Sequence, residues 1–227
     1  MNPSIFAYSA LLLAPLASCT SPASEEGNKE LPEKPNIIFI ITDDMTPDMF
    51  NFLPEGEGQN LTPALDQLAE EGTVMRNQYV VSPVSTPSRF NCLTGLFASR
   101  AQNKTFLRNT KQAGGQTVVR WNSHITPKTP TFPEMLQENG YTTGAVGKNH
   151  VIQVPDFYKA PWDADPTDPE IKSKLQANAK KIRKAYQKSG FDFAERIYYN
   201  NPDGNGAKEL AVHNMDWITE GGLQFIE

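Results

Sequence analysis

One short run constrains the fold more than anything else in the chain. In Asn36-Ile37-Ile38-Phe39-Ile40-Ile41 every side chain after Asn36 is apolar. A strand with one wet face alternates in polarity. An unbroken run of β-branched and aromatic residues suits a strand covered on both faces, as in the middle of a parallel sheet. Such a sheet needs helices between its strands. Thr62-Pro63 opens one, with Thr as N-cap and Pro in the first turn; its apolar stripe is Ala64, Leu65, Leu68 and Ala69, and Gly72 ends it. Residues 73–81 read as a second strand, 132–138 as a short helix closed by Gly140, and 141–146 as a third strand. Residues 153–170 hold four prolines and read as a loop. The pattern over 169–189 is an amphipathic helix with Ile171, Leu175, Ala179, Ile182 and Tyr186 along one stripe and Gly190 as its stop. A strand over 191–199, a turn over 200–206 and a largely helical remainder follow, weakened at Gly221-Gly222. The predicted fold is α/β, a mainly parallel sheet with helices on both faces. Sites in such sheets form beyond the carboxyl ends of the strands.

Composition removes several classes. The 227 residues carry 21 Lys and Arg against 26 Asp and Glu, a net charge of −5, which argues against a nucleic-acid partner. Two cysteines, Cys19 and Cys92, exclude a disulfide scaffold. The first 24 residues have no charged side chain, and Ile5 to Ala17 is too short to span a bilayer. Residues 1–18 therefore read as a signal peptide. Leu16-Ala17-Ser18-Cys19 resembles a bacterial lipobox, in which the cysteine becomes a lipidated N-terminus. The alternative is an ordinary cleaved signal. Residues 19–35, rich in Ser, Glu, Lys and Pro, read as the lipidated cysteine and a linker, and 36–227 as the folded part. The expectation is an exported lipoprotein, held to a membrane through Cys19 and facing the periplasm or the cell surface.

Three strand ends carry chemistry. The first strand runs into Asp43-Asp44, adjacent carboxylates that make half of a hard-cation site, although taken alone a solvated turn is the commoner explanation of such a pair. The second leads to Ser85-Thr86-Pro87-Ser88-Arg89, where Thr86 reads as an N-cap and Pro87 as the helix start. Ser85 then lies just before a helix N-terminus, where unpaired N–H groups favour anionic oxygen, and Arg89 reaches the same spot from one turn on. The third ends in Gly147-Lys148-Asn149-His150, an ammonium and an imidazole in one loop, suited to an anionic substrate and a proton transfer.

Together, and in this order, these features resemble the N-terminal half of a sulfatase of the alkaline-phosphatase-like superfamily. The matching residues are the opening strand with Asp43-Asp44, then Ser85, Pro87, Ser88, Arg89, Thr94 and Gly95, then Lys148 and His150. Cys92 and Asn149 depart from the pattern, where aliphatic or aromatic residues and Trp are usual. The resemblance implies a sulfuric ester hydrolase in which Ser85 is oxidised to formylglycine (3-oxoalanine) by a maturase, here of the oxygen-independent type that accepts serine. It implies Ca²⁺ held by Asp43, Asp44 and the group at Ser85. It gives Arg89 the task of holding the nucleophile, Lys148 a contact to sulfate, and His150 a proton transfer. The implied substrate is a sulfated small molecule or glycan.

The chain is short for this family. No second acidic strand end that would complete the calcium cage follows His150, and His213 reads as structural. The expectation is an N-terminal part of the catalytic domain with little activity alone. Two other readings stay open: a phosphoester or phosphonate hydrolase of the same superfamily, and a non-catalytic lipoprotein that binds sulfated glycans. The segment 169–189 carries seven Lys and Arg against one Glu, a solvated face or a polyanion contact. Asn60 and Asn103 head formal glycosylation sequons, without meaning in a bacterial lipoprotein.

Overall fold

The computed structural model describes residues 34–59 and 61–227. The signal peptide, Cys19 and most of the linker lie outside the described residues. The chain divides after Thr42 into two units. In the first, residues 34–42 are irregular and Ile38, Phe39 and Ile40 are exposed, so the expected strand over 36–41 is not formed. A strand forms only where a partner backbone takes up its N–H and C=O groups. Side-chain pattern alone does not provide one, and among the described residues none pairs with this run.

The second unit, from Asp43 to Glu227, holds six α-helices, five short 3-10 helices and one parallel pair of strands among its described residues. They are α1 (Pro63–Glu71), α2 (Ser85–Thr94), α3 (Lys104–Gln112), α4 (Phe132–Glu138), β1 (Gly144–Asn149), α5 (Pro169–Gln187), β2 (Phe193–Tyr199) and α6 (Met215–Ile226). The architecture is mixed α/β with a small parallel sheet. Residues 73–81 do not form the expected second strand: Met75, Tyr79 and Val80 stand in solvent. The stripe of α1 is only half covered, with Leu68 62% exposed. Helix α3 was not legible as a separate element, because Phe106 is its one buried residue.

β1 and β2 pair from Gly144 opposite Phe193 to Asn149 opposite Tyr199, with a register shift between Ala145 and Gly147. Gly147 and Arg196 take left-handed φ of 87° and 51° at that irregularity. α5 links the two strands, as a parallel crossover requires. Pro169 sits in its first turn, and the Asp168 carboxylate accepts from the N–H groups of Glu170 and Ile171. Ile182 and Tyr186 of its predicted stripe are buried, but Ala179 is exposed and Asn178 takes the buried place, donating to Tyr158 O and accepting from Tyr158 N. Lys174 pairs with Glu170, Arg183 with Glu195, and Lys181 with the Asp156 carbonyl, so part of the basic run is spent on the fold itself.

The core joins α2, α3, α5, β2 and the segment after β1. Phe90 is its fully buried centre, with Phe106, Val151, Ile152, Ile182, Tyr186 and Ile197 around it. α4 begins with a complete capping box: Thr131 accepts from Glu134 N while Glu134 accepts from Thr131 N. Thr131 also hydrogen-bonds the Ser189 carbonyl, tying the start of α4 to the end of α5.

Candidate active site

The site begins with α2. Its first helical residue is Ser85, not Pro87, and Val84 is the N-cap. Thr86, expected as the cap, is buried and forms no capping bond. Proline is tolerated anywhere in a first turn, because the N–H it lacks has no intrahelical partner there. Ser85 therefore stands on the positive end of the helix itself. At the other end Thr94 donates to Phe90 O at 2.7 Å, and Gly95 turns left-handed with φ 68°. This Thr-Gly pair stops the helix.

Arg89, one turn into α2, donates from Nε to Ser85 Oγ at 3.1 Å. Its other face meets Asp43, with Nη2 at 3.9 Å from Oδ2. Lys148 closes an ion pair on the same carboxylate oxygen. Ser85, Arg89, Asp43 and Lys148 thus form one chain of contacts drawn from three separate segments. Burial works against the Asp43 carboxylate, yet the hydrogen bond and charge of Lys148, helped by Arg89, hold its pKa below the ordinary range. Asp44 follows in the left-handed conformation, φ 57°, and is exposed.

β1 runs to Asn149, so Lys148 belongs to the strand and not to a loop past it; His150 is the first residue beyond. Alternation along the strand puts Lys148 and His150 on one face and Asn149 on the other. Asn149 is buried and closes the turn: Oδ1 accepts from Val151 N at 3.0 Å and Ile152 N at 2.9 Å, and Nδ2 donates to Ile152 O at 2.7 Å. The amide satisfies three backbone groups. It fixes the turn that presents His150.

His150 is half-buried, and its Nδ1 has no hydrogen-bond partner. Burial, reinforced by the charges of Lys148 and Arg89, pushes its pKa down to about 4. It is therefore neutral at pH 7. A second imidazole, His124, lines one cleft together with His150; its pKa is also lowered by burial, and its Nδ1 is likewise unpartnered. No motif marked His124. It arrives through tertiary structure, on a segment held by buried amides. Asn103 accepts from His124 N at 3.0 Å and donates to Asn122 O at 2.9 Å. Asn103, the head of a formal sequon, is thus buried and spent on the fold. His213 meets the Tyr198 ring edge-on just before α6, a packing role. Burial raises the thiol pKa of Cys92.

The donors fit a hard cation in kind. Asp43, Asp44 and Ser85 offer only oxygen, the ligand type of Ca²⁺. In number they fall short of the roughly six to eight oxygens it takes. Among the described residues no three His, Cys, Asp or Glu side chains come together as a metal cluster. Asp43 instead faces two cationic side chains.

Comparison with known proteins gives this geometry a family. The chain is 36% identical over 159 residues to an N-acetylglucosamine-6-O-sulfatase of Bacteroides thetaiotaomicron, covering 69% of this chain and 24% of that protein. It is 36% identical over 141 residues to an N-acetylgalactosamine-6-O-sulfatase of the same organism, covering 61% of this chain and 25% of the other. It is 35% identical over 121 residues to human arylsulfatase D, covering 52% and 19%. The chain spans about a quarter of the length of the curated relatives it matches. The model of the sulfatase domain, an alkaline-phosphatase-like fold, matches residues 35–208, and the chain belongs to the sulfatase family.

Proposed function

We propose that this chain carries the nucleophile half of a sulfate ester hydrolase, with Ser85 converted to formylglycine and Asp43, Asp44 and the group at position 85 contributing to a Ca²⁺ site. The observation that carries the reading is the run of contacts from Ser85 through Arg89 and Asp43 to Lys148. Formylglycine at position 85 would supply, as its hydrate, an oxygen nucleophile towards sulfur, and Ca²⁺ held by Asp43, Asp44 and that group would offset the charge of the sulfate group.

The protein's own residues do the rest. Arg89 holds the oxygen at position 85 at hydrogen-bond distance, and the α2 N-terminus favours negative charge there. Lys148 adds a second fixed positive charge for a sulfate oxygen. His150, uncharged at neutral pH, would take a proton from a hydroxyl at position 85. Asp43 keeps the two cations in place when no substrate is bound. We propose further that the protein is exported and anchored through a lipidated Cys19, and that the sulfate ester is borne by a glycan, as the names of the two Bacteroides relatives suggest.

The test is chemical and independent of turnover. Co-expressed with an anaerobic serine-type maturase, the peptide containing Ser85 should be lighter by two hydrogen atoms and should react with a hydrazide probe. Ser85→Ala should abolish both signals. An unchanged mass in a preparation whose maturase converts a control sulfatase would sink the formylglycine assignment.

A further inference from the structure

Helix α5 and the residues that close it hold charge of one sign. Seven of the chain's 21 Lys and Arg fall in residues 171–191, and none of its 26 Asp and Glu does. In a chain of net charge −5 this helix is a local exception. Three of the seven serve the fold: Lys174 pairs with Glu170, Arg183 with Glu195, and Lys181 with the Asp156 carbonyl. The other four, Lys172, Lys180, Lys184 and Lys188, are exposed, and among the described residues no acidic side chain pairs with them.

Their spacing makes them one row. Lys172, Gln176, Lys180, Lys184 and Lys188 follow one another at four-residue steps. On a helix such residues stack along a single ridge, each about 6 Å further along the axis and turned by about 40°. Lys188 is the C-cap and keeps helical φ and ψ of −73° and −5°, so the ridge includes it. The ridge lies opposite the buried stripe of Asn178, Ile182 and Tyr186, which fixes α5 to the core.

The fold does not call for this row. Like charges four residues apart weaken a helix, and the usual remedy, a Glu four residues before each Lys, is absent after Glu170. The helix dipole favours cations only in the last turn. That covers Lys184 and Lys188, leaves Lys180 unexplained in the middle, and runs against Lys172 near the start. The row also leads away from Ser85 and its partners. Gly190 O, just past α5, accepts from Thr143 Oγ1 at 2.7 Å, so Lys188 stands at the amino end of β1. His150 follows the other end, roughly 20 Å of strand away.

The chemistry of the ridge selects its partner. Ammonium groups are point charges without the fork of Arg, and suit anionic groups spaced along a flexible chain. A helix that lies on a bilayer carries large apolar residues on the opposite flank, and here the residues beside the row are Ser173, Ala177 and Gln187. Single-stranded nucleic acid stacks its bases on aromatic side chains, and Tyr186, the aromatic residue of α5, is buried.

We infer that the ridge of Lys172, Lys180, Lys184 and Lys188 is a docking surface for a linear sulfated glycan chain, separate from the residues that act on the ester. It rests on the hydrolase reading only in the choice of sulfate among anions; the row itself stands on charge and spacing. A chain held there keeps its other ester groups at high local concentration.

The experiment reads binding to protein made without a maturase, so nothing is cleaved. A heparin decasaccharide is titrated into the full chain. The variant with Lys180→Gln, Lys184→Gln and Lys188→Gln should bind it about tenfold more weakly, with a flatter dependence on salt. The variant with Lys104→Gln, Arg108→Gln and Lys111→Gln removes as many charges from exposed positions of α3 and should bind as the wild type does. Lysine acetylation read by mass spectrometry needs no variant: the decasaccharide should protect Lys172, Lys180, Lys184 and Lys188 and leave Lys104 and Lys111 reactive. Equal losses in the two variants, uniform protection, equal affinity for an unsulfated hyaluronan decasaccharide, or binding to phosphatidylglycerol vesicles without binding to the decasaccharide would overturn the inference. A chain that docks the decasaccharide on this ridge but keeps Ser85 unmodified beside an active maturase supports the ridge and overturns the formylglycine reading.

Discussion

Asp43 and His150 sit in the same electrostatic neighbourhood and are pushed the same way, towards lower pKa, for opposite reasons. Lys148 and Arg89 stabilise the charged form of Asp43, and they destabilise the charged form of His150, whose burial already disfavours it. Removing one cation should separate the two effects. In Lys148→Met the His150 pKa should rise from about 4, because a positive neighbour is lost while Asp43 remains. The C2 proton shift of His150 followed from pH 3 to 8 measures this, and an unmoved titration would refute it. Stability follows with a definite sign. The unfolded imidazole binds its proton near 6.5 and the folded one only near 4, so the native state loses stability as pH falls through that window and none above it. Asp43 contributes stability that is present above 3.8 and lost below it. The urea midpoint should therefore be lower at pH 4.5 than at pH 7. Local motifs, read through the family resemblance, marked Ser85, Arg89, Lys148 and His150 as candidates, and the structure joins Ser85, Arg89 and Lys148 in one chain of contacts through Asp43. The motifs could not reveal His124, which arrives only when distant segments meet, or the work of Asn149, whose side chain bonds the backbone of Val151 and Ile152 only once the turn after β1 has formed.

Among the elements, the helices were read more closely than the strands. A helix satisfies its own backbone, so its ends leave local signals, and Pro63 at the start of α1 and the glycine stops at 72, 140 and 190 were legible without any partner. A strand depends on what lies beside it. The runs at 36–41 and 73–81 have strand-like patterns but no neighbour among the described residues, whereas β1 and β2 have each other. β1 itself lies three residues later than its pattern suggested, because Gly147 and the register shift interrupt alternation. Gly190 offers the sharpest test at this scale. It ends α5 with φ 86°, and a Cβ there would lie 2.4 Å from Glu134 N and 2.9 Å from its Cα. The obstacle is backbone in the first turn of α4, which the capping box holds. Gly190→Ala combines a left-handed φ with that collision and should cost roughly 3 kcal/mol. A urea midpoint within error of wild type would show that α4 yields freely.

For the whole molecule, the proposed export and anchoring are separable from the fold and should fail separately. Cys19→Ala should move the protein from the membrane fraction to the soluble one while leaving its near-ultraviolet spectrum unchanged. Metabolic labelling with a fatty acid should mark the wild type only. A wild-type protein that is unlabelled and already soluble would refute the lipobox. The crossover between the strands carries a consequence for time as well as for shape. Residues 150–192 must close before Asn149 and Tyr199 can pair, and parallel pairing over such a separation is slow compared with helix formation. α5 can form early from local contacts, and α2 can present Ser85 without waiting for the strands. The cleft cannot, because His150 and Asn200 stand on opposite sides of that closure. In the proposed maturation, an emerging chain would thus offer its serine to the modifying enzyme well before the parallel strands beside it have closed.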